Sequence, residues 1–358
     1  MNRTLRGVLL FALFAITVSG CGDDDDDGAG GDGELVTIDF LQPLPKSIAF
    51  YPLFVAEQLG YFEEEGIEVN LLPSGDVPAT VAVVSGNATI GATTSANIVS
   101  AANQDENFRL IYEYYQKNVF SVVVPDGSDV EDVADLDGAN VGITSEAAGD
   151  SAIARAAVTE AGLDPDAEVT FTVVGEGGPI VANALESGQI DAYAGAINDL
   201  VALRVEGIEY RDITPDNLQS MPASSMIMAP EDIEELEEPI GGFLRAWAKA
   251  TYVGFVNEDV VYAMAEEEVP EETADEEFGR AFLEVALDLQ TPLLGDDEFG
   301  ALRLDAWEVV QEQLIAGGEL EGEFDFSPFL DDRFIEIAND WDRAEVEQEA
   351  EAWADENA

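Results

Sequence analysis

The chain of 358 residues carries 14 Lys and Arg against 76 Asp and Glu, a formal charge of −62, with no His, one Cys and 47% hydrophobic residues. Without histidine there is no imidazole metal ligand or general base, and a lone cysteine forms neither a zinc cluster nor an internal disulfide. Broad contact with nucleic-acid phosphate rests on Lys and Arg clusters and is not expected at this balance. The apolar share is that of a globular protein, and the length allows two or three domains. Only Lys46, Lys117 and Lys249 are lysines, and acids lie along nearly every segment. Such a surface repels itself at low salt, whereas molar salt screens it to within a few ångströms. Salt adaptation is therefore the expectation, against the plainer reading of an acidic extracytoplasmic protein. It requires a melting temperature that rises from low to molar salt, and a flat response would refute it.

Arg3 and Arg6 precede an apolar run over residues 8–18, too short to span a bilayer as a helix. The run ends in Val18-Ser19-Gly20-Cys21. An aliphatic residue, two small ones and the single Cys resemble the bacterial lipoprotein signal, in which the Cys is lipidated and becomes the mature N-terminus. The alternative is an ordinary signal peptide with an incidental Cys. The resemblance implies a signal peptide over 1–20, acyl chains on Cys21 and an anchor on the extracytoplasmic face of the cell membrane. Gly22, the run Asp23-Asp24-Asp25-Asp26-Asp27 and the glycines up to Gly33 then read as a flexible acidic tether over 21–34. Contiguous aspartates lack the alternating ligand spacing and turn glycine of a calcium loop, so no metal is expected there.

Beyond the tether, strand and helix patterns alternate. Residues 36–40 alternate apolar and polar before Pro43 and Pro45; a helix is predicted over 52–59, stopped by Gly60, and a strand over 67–71. A short helix over 78–84 has Pro in its first turn, followed by a strand at 88–91 and a helix at 95–102. The alternation resumes with strands at 140–143, 169–174 and 190–194 and helices at 149–161, 179–185 and 198–205. Repeated units of this kind predict an α/β fold with mostly parallel sheets flanked by helices. Ser85-Gly86 and Ser187-Gly188 each join a helix end to a short apolar strand, about a hundred residues apart, as two similar α/β lobes would. From 231 to 338 the pattern is amphipathic helix, with Phe243, Trp247, Ala250 and Val253 as one apolar stripe for packing on the body.

The stretch from Phe50-Tyr51-Pro52 through Ala56, Gly60-Tyr61-Phe62 and Gly66 resembles the opening of one family. These are the solute-binding proteins of ABC transporters for nitrate, sulfonates, taurine and thiamine precursors. Asp135-Leu136-Asp137-Gly138 before Val141-Gly142-Ile143, the run Ala184-Leu185-Glu186-Ser187-Gly188-Gln189-Ile190-Asp191-Ala192, and Phe324-Asp325-Phe326 with Phe329-Leu330 and Arg333-Phe334 agree with it. The match spans about 36–338; its order and spacing carry it, since none of the motifs is unique. It departs at Thr89, where the family often has Asp. The resemblance implies a two-lobed periplasmic-binding-protein-like fold (type II) with a helical C-terminal part. Lobe 1 would take 35–121, lobe 2 122–224, the return to lobe 1 and the C-terminal helices 225–345, and an acidic tail 346–358. The lobes would be joined by two crossing strands, near 120–124 and 225–228. A small solute would be captured between the lobes and delivered to an ABC permease and its ATPase. No cofactor is implied, and a monomer is expected.

In open α/β sheets ligands sit beyond the carboxyl ends of strands, near helix N-termini. Gln42 follows the first strand, and Phe50 and Tyr51 open a helix as walls for a flat solute or as packing. Thr94 and Ser95 begin a helix and offer hydroxyls and free N–H groups. Thr144 and Ser145 begin the corresponding helix of the second lobe, with Gly149 permitting close backbone approach. Glu176 precedes the helix at Pro179, Asn198 and Asp199 cap the next helix, and Tyr114 and Gln116 end a strand near the crossing. Each could equally serve as cap or packing. Arg109, Lys117 and Arg155 are the nearby cations, none in a clear cleft position. The aromatic residues lean toward a heterocycle such as a thiamine pyrimidine precursor, with a sulfonate, nitrate or carboxylate as the alternative, and a ligand-sensing lipoprotein as a further one. An enzyme is not expected. The superfamily's pyrimidine synthase consumes its own active-site histidine, which this chain lacks, and a serine nucleophile would need a base.

Overall fold

A computed structural model of the chain describes residues 35–357 apart from Leu44, Ser74, Asp76, Ala147, Asp296 and Asp297, so the leader, the tether and Cys21 lie outside the described residues. In chain order the elements are β1 (Val36–Leu41), α1 (Tyr51–Gln58), α2 (Tyr61–Glu64), β2 (Ile67–Leu72), α3 (Ala79–Val84), β3 (Ile90–Thr94), α4 (Ser95–Asn103) and β4 (Arg109–Tyr115). There follow β5 (Phe120–Pro125), β6 (Asn140–Ile143), α5 (Gly149–Glu160), β7 (Thr170–Val173), α6 (Pro179–Glu186), β8 (Ala192–Ala196), α7 (Ile197–Val205), β9 (Tyr210–Asp212), α8 (Asp216–Gln219) and β10 (Ser224–Met228). The rest is helical: α9 (Pro230–Glu235), α10 (Glu237–Val256), α11 (Glu258–Glu268), α12 (Glu276–Leu289), α13 (Leu304–Ala316), α14 (Arg333–Ala338) and α15 (Arg343–Asn357).

Two five-stranded sheets result, in the orders β2-β1-β3-β10-β4 and β7-β6-β8-β5-β9. In each, one strand, β10 or β5, runs against the other four. The two-lobed, periplasmic-binding-protein-like architecture expected from the sequence is thus present as two mixed sheets with helices on their faces. The Ser-Gly echo has a local cause. Gly86 and Gly188 both end helices in the left-handed region, at φ 70° and 68°, and the next N–H in each case returns to a carbonyl five residues back. Thr89 also finds its role. Its hydroxyl accepts the N–H of Asp39 on the neighbouring strand, as the Asp191 carboxylate accepts that of Asn140 in the other sheet.

Strands β3 and β8 both begin two residues later than the pattern predicts, because small residues rather than alternating large ones fill their buried middles. The apolar runs at 120–124 and 225–228 are not the crossings. They are strands inside the sheets, and their apolar character reflects burial there. The crossings are the short segments 116–119 and 220–223, each bonded to the element that leads into the other, through Asn118 N–H to the Gln219 carbonyl (2.8 Å) and Ala223 N–H to the Tyr115 carbonyl (3.1 Å). Residues 346–358, read as a tail, belong largely to α15, which docks by Val346 and Ala350 while its acids face outward. The stripe on α10 packs as expected. Phe243 and Trp247 meet Phe40 of β1 at ring distances of 5.5 and 5.7 Å.

Candidate solute cleft

Strand pairing shows which sheet edges face the crossings. Strand β10 starts at Ser224, which lies beside Thr94 and Tyr115, the last residues of β3 and β4. Strand β5 starts at Phe120, beside Ala196, the last residue of β8. Both crossings therefore join the carboxyl-terminal edges of the two sheets. Helices α4, α5 and α7 begin at these edges, so their N-termini point into the region where strand-end ligands sit.

On the first wall Gln42 borders a cavity of about 180 Å³ together with Pro43, Val77, Thr93 and Asn97. The Gln42 amide nitrogen donates to the Pro45 carbonyl (3.1 Å), while its buried oxygen has no partner. Thr94 is exposed and its hydroxyl accepts the Asn97 N–H at 3.4 Å. On the second wall Ser145, Glu176 and Asn198 are exposed at the ends of β6, β7 and β8. Sequence reasoning missed Thr93 and Asn97, which sit one turn apart with the Asn97 amide donating to the Thr93 hydroxyl (3.3 Å). Nothing in a strand of small residues marks Thr93 as a wall residue.

Five of the candidates are placed elsewhere. Phe50, Tyr51 and Tyr114 are buried in the core, so the expected aromatic wall is corrected to an aromatic cluster inside lobe 1. Phe50 lies 5.6 Å from the Tyr114 ring, and Tyr114 touches Tyr115 (4.8 Å) and Trp247 (6.2 Å). The Tyr51 hydroxyl donates to the Thr251 carbonyl (2.7 Å). The cause is tertiary: α10 covers Tyr51 and Tyr114, and α12 packs on the turn that carries Phe50. Ser95 is buried at the hinge, its N–H donating to the Ala223 carbonyl (3.1 Å) and its hydroxyl to that of Pro222. Gln116 is likewise buried, its amide donating to the carbonyls of Glu113 (2.9 Å) and Ala301 (3.1 Å).

The hinge has a polar centre that sequence patterns did not reveal. Arg303, just before α13, donates from its guanidinium to the Glu113 carboxylate (3.0 Å), the Gln116 carbonyl (2.6 Å) and the Ser220 carbonyl (2.7 Å), and so holds both crossings. Glu113 is fully buried and also accepts from the Arg303 N–H (2.9 Å) and the Trp307 indole (2.7 Å). Burial pushes its carboxyl up, and the guanidinium and these donors pull it down. Beside the hinge, a second cavity of about 450 Å³ lies between α7, β9 and α12. Its two cations are engaged, Lys117 with Asp288 (2.6 Å) and Arg204 with Glu284 (3.1 Å). Among the described residues no cluster of three or more acids, Cys or His is arranged to hold a metal, and no helix is long and apolar enough to cross a membrane.

The family model described as NMT1/THI5 like matches residues 47–256. The chain belongs to the NMT1/THI5-like family. The riboflavin-binding protein RibY of Chloroflexus aurantiacus is 25% identical over 294 residues, which are 81% of this chain and 83% of that protein. The periplasmic sulfonate-binding protein SsuA of Methylobacillus flagellatus KT has the same fold, with a TM-score of 0.60 at 15% identity over 85% of this chain and 94% of that one. The desulfurization enzyme DSZB shares it too, with a TM-score of 0.54 at 16% identity over 85% and 98% of the two chains. The architecture is shared with a sulfonate-binding protein and a desulfurization enzyme alike, so the fold alone does not separate binding from catalysis.

Proposed function

We propose that this NMT1/THI5-like chain is an extracytoplasmic lipoprotein that captures a small organic solute between its two lobes and delivers it to an ABC permease driven by an ATPase. The observation that carries this reading is the hinge joining the carboxyl-terminal edges of two equivalent sheets, the edges at which α4, α5 and α7 begin. Closure around solute would give the permease a surface to recognise. The contacts we assign are Gln42 and Thr94 on lobe 1 and Ser145, Glu176 and Asn198 on lobe 2. A heterocycle, such as a thiamine pyrimidine precursor, is the preferred solute. It is supported by the name of the relative RibY, which is another heterocycle binder. A sulfonate is the second reading, because SsuA is named for one. On this reading the protein acts without catalysis, and the histidine-consuming chemistry of the pyrimidine synthase has no residue here to use.

A thermal-shift screen in molar salt tests the solute directly, with pyrimidines, thiamine, riboflavin, sulfonates, taurine and nitrate as probes. Ligand at a hundred times its dissociation constant adds about 2.7 kcal/mol. Ser145→Ala should weaken binding of the hit at least tenfold with stability changed by no more than about 0.5 kcal/mol, as for an exposed surface position. An unchanged dissociation constant removes Ser145 from the site. For the anchor, Cys21→Ser should move the chain from the membrane to the soluble fraction, and continued sedimentation with membranes would rule out lipidation there.

A further inference from the structure

We infer that this cleft rejects anions and takes a neutral or cationic solute rich in N–H donors, a deepening that rests on the solute-binding reading above. Helix N-termini ordinarily attract anions through free N–H groups and the helix dipole. The second wall has three such ends, those of α5, α6 and α7; α5 and α7 each carry a carboxylate of their own in the first turn, and α6 carries none there. Asp150, second residue of α5 and 1% exposed, accepts the Thr144 N–H (2.8 Å) and hydroxyl (2.7 Å). Asp199, third residue of α7 and 8% exposed, accepts the N–H groups of Gly177 (2.7 Å) and Ala196 (3.1 Å). The loop that bears Glu176 is built against this acid: a Cβ on Gly177 would lie 2.2 Å from the Asp199 carbonyl oxygen. Glu176 adds a third carboxylate, exposed on the same loop.

The loop that bears Glu176 meets the Asp199 carboxylate through the Gly177 N–H. Burial first, then Asp199, Asp150 and Glu176, push the phenol of Tyr193 well up, and its hydroxyl donates to the Gly175 carbonyl (3.1 Å). The cations of lobe 2 are engaged elsewhere. Arg155 pairs with Asp166 (2.9 Å), Arg204 with Glu284 (3.1 Å), and Arg211 donates to the Val130 carbonyl (2.7 Å). Among the described residues, those that border the cavity beside Gln42 are neutral. There Gln42, 1% exposed, is oriented by its bond to the Pro45 carbonyl, which can only accept. The amide cannot be flipped, so the group left without a partner is an acceptor, and it calls for a donor on the solute.

Calorimetric titration of the full chain tests this with pairs that share a skeleton and differ in charge: riboflavin against its 5′-phosphate, thiamine against its monophosphate, and ethanesulfonate as a small anion. The uncharged or cationic member should bind at least tenfold tighter, and Glu176→Gln should narrow the gap several-fold. A purely steric penalty for the phosphate would not respond to that substitution. An anionic member binding as tightly as its partner, a gap unmoved by Glu176→Gln, or binding of ethanesulfonate alone overturns the inference and leaves solute capture standing. Silence of every probe overturns the heterocycle reading on which it rests.

Discussion

Replacing Arg303 by methionine is expected to lower the folding stability by about 3–5 kcal/mol, the usual cost of removing one partner of a buried ion pair. Glu113 would be left buried with only the Trp307 indole and a backbone N–H as donors, and the carbonyls of Gln116 and Ser220 would each lose one. Because both carbonyls belong to the crossings, the lobes should also sample wider openings, visible as a larger radius of gyration without solute. Arg303→Lys keeps the charge but not the fork that reaches three acceptors, so it should retain part of the stability and little of the hinge restraint. The deficit should also depend on pH. Burial already raises the Glu113 carboxyl, and loss of the guanidinium raises it further. A folded carboxyl held above its unfolded value binds its proton more tightly than the unfolded chain does. The methionine variant should therefore be closest to the parent below the ordinary carboxyl pKa, with the gap widening as pH rises through the folded value. Denaturant midpoints at pH 4 and pH 7 give the comparison, and a midpoint cost under about 1 kcal/mol would show that the pair is not the hinge's anchor.

Phe50→Ala is expected to cost about 3–5 kcal/mol of stability while leaving the solute affinity of the folded fraction unchanged. Phe50 is 3% exposed and packs on Tyr115 and on Tyr114, and Tyr114 continues the cluster to Trp247. Truncation opens a cavity that the surrounding rings cannot fill without leaving their rotamers. The experiment separates the two meanings of an aromatic pair at a helix start. A cleft wall would lose affinity and keep its melting temperature, whereas a core ring does the reverse. Denaturation midpoints together with a titration below the transition decide it.

The salt response belongs beside these two results. Surface ion pairs such as Arg155 with Asp166 weaken as salt rises, whereas the Glu113–Arg303 pair, removed from solvent, is screened little. A chain of charge −62 that gains stability in molar salt would thus keep its hinge geometry there while its surface repulsion fades.

The sequence by itself determined the alternation of strand and helix, the two similar lobes and the family. Period-2 and 3.6 patterns, the Ser-Gly turns at Gly86 and Gly188 and the motif from Phe50 to Gly66 are local, and local sterics and burial write them directly. It also placed Gln42, Thr94, Ser145, Glu176 and Asn198 at element ends that the fold brings to the edges facing the crossings. Only the tertiary structure decided which of those ends stay open. Element ends that the C-terminal helices cover become core, as at Phe50, Tyr51 and Tyr114, whereas Ser95, which the returning crossing touches, and Gln116, which Arg303 holds, become hinge. The meeting of Glu113 with Arg303 across 190 positions, and of the loop bearing Glu176 with Asp199, left no periodic trace for the same reason. Residues far apart in the chain are brought together by packing of whole elements, and no local pattern encodes which neighbour a buried charge will find.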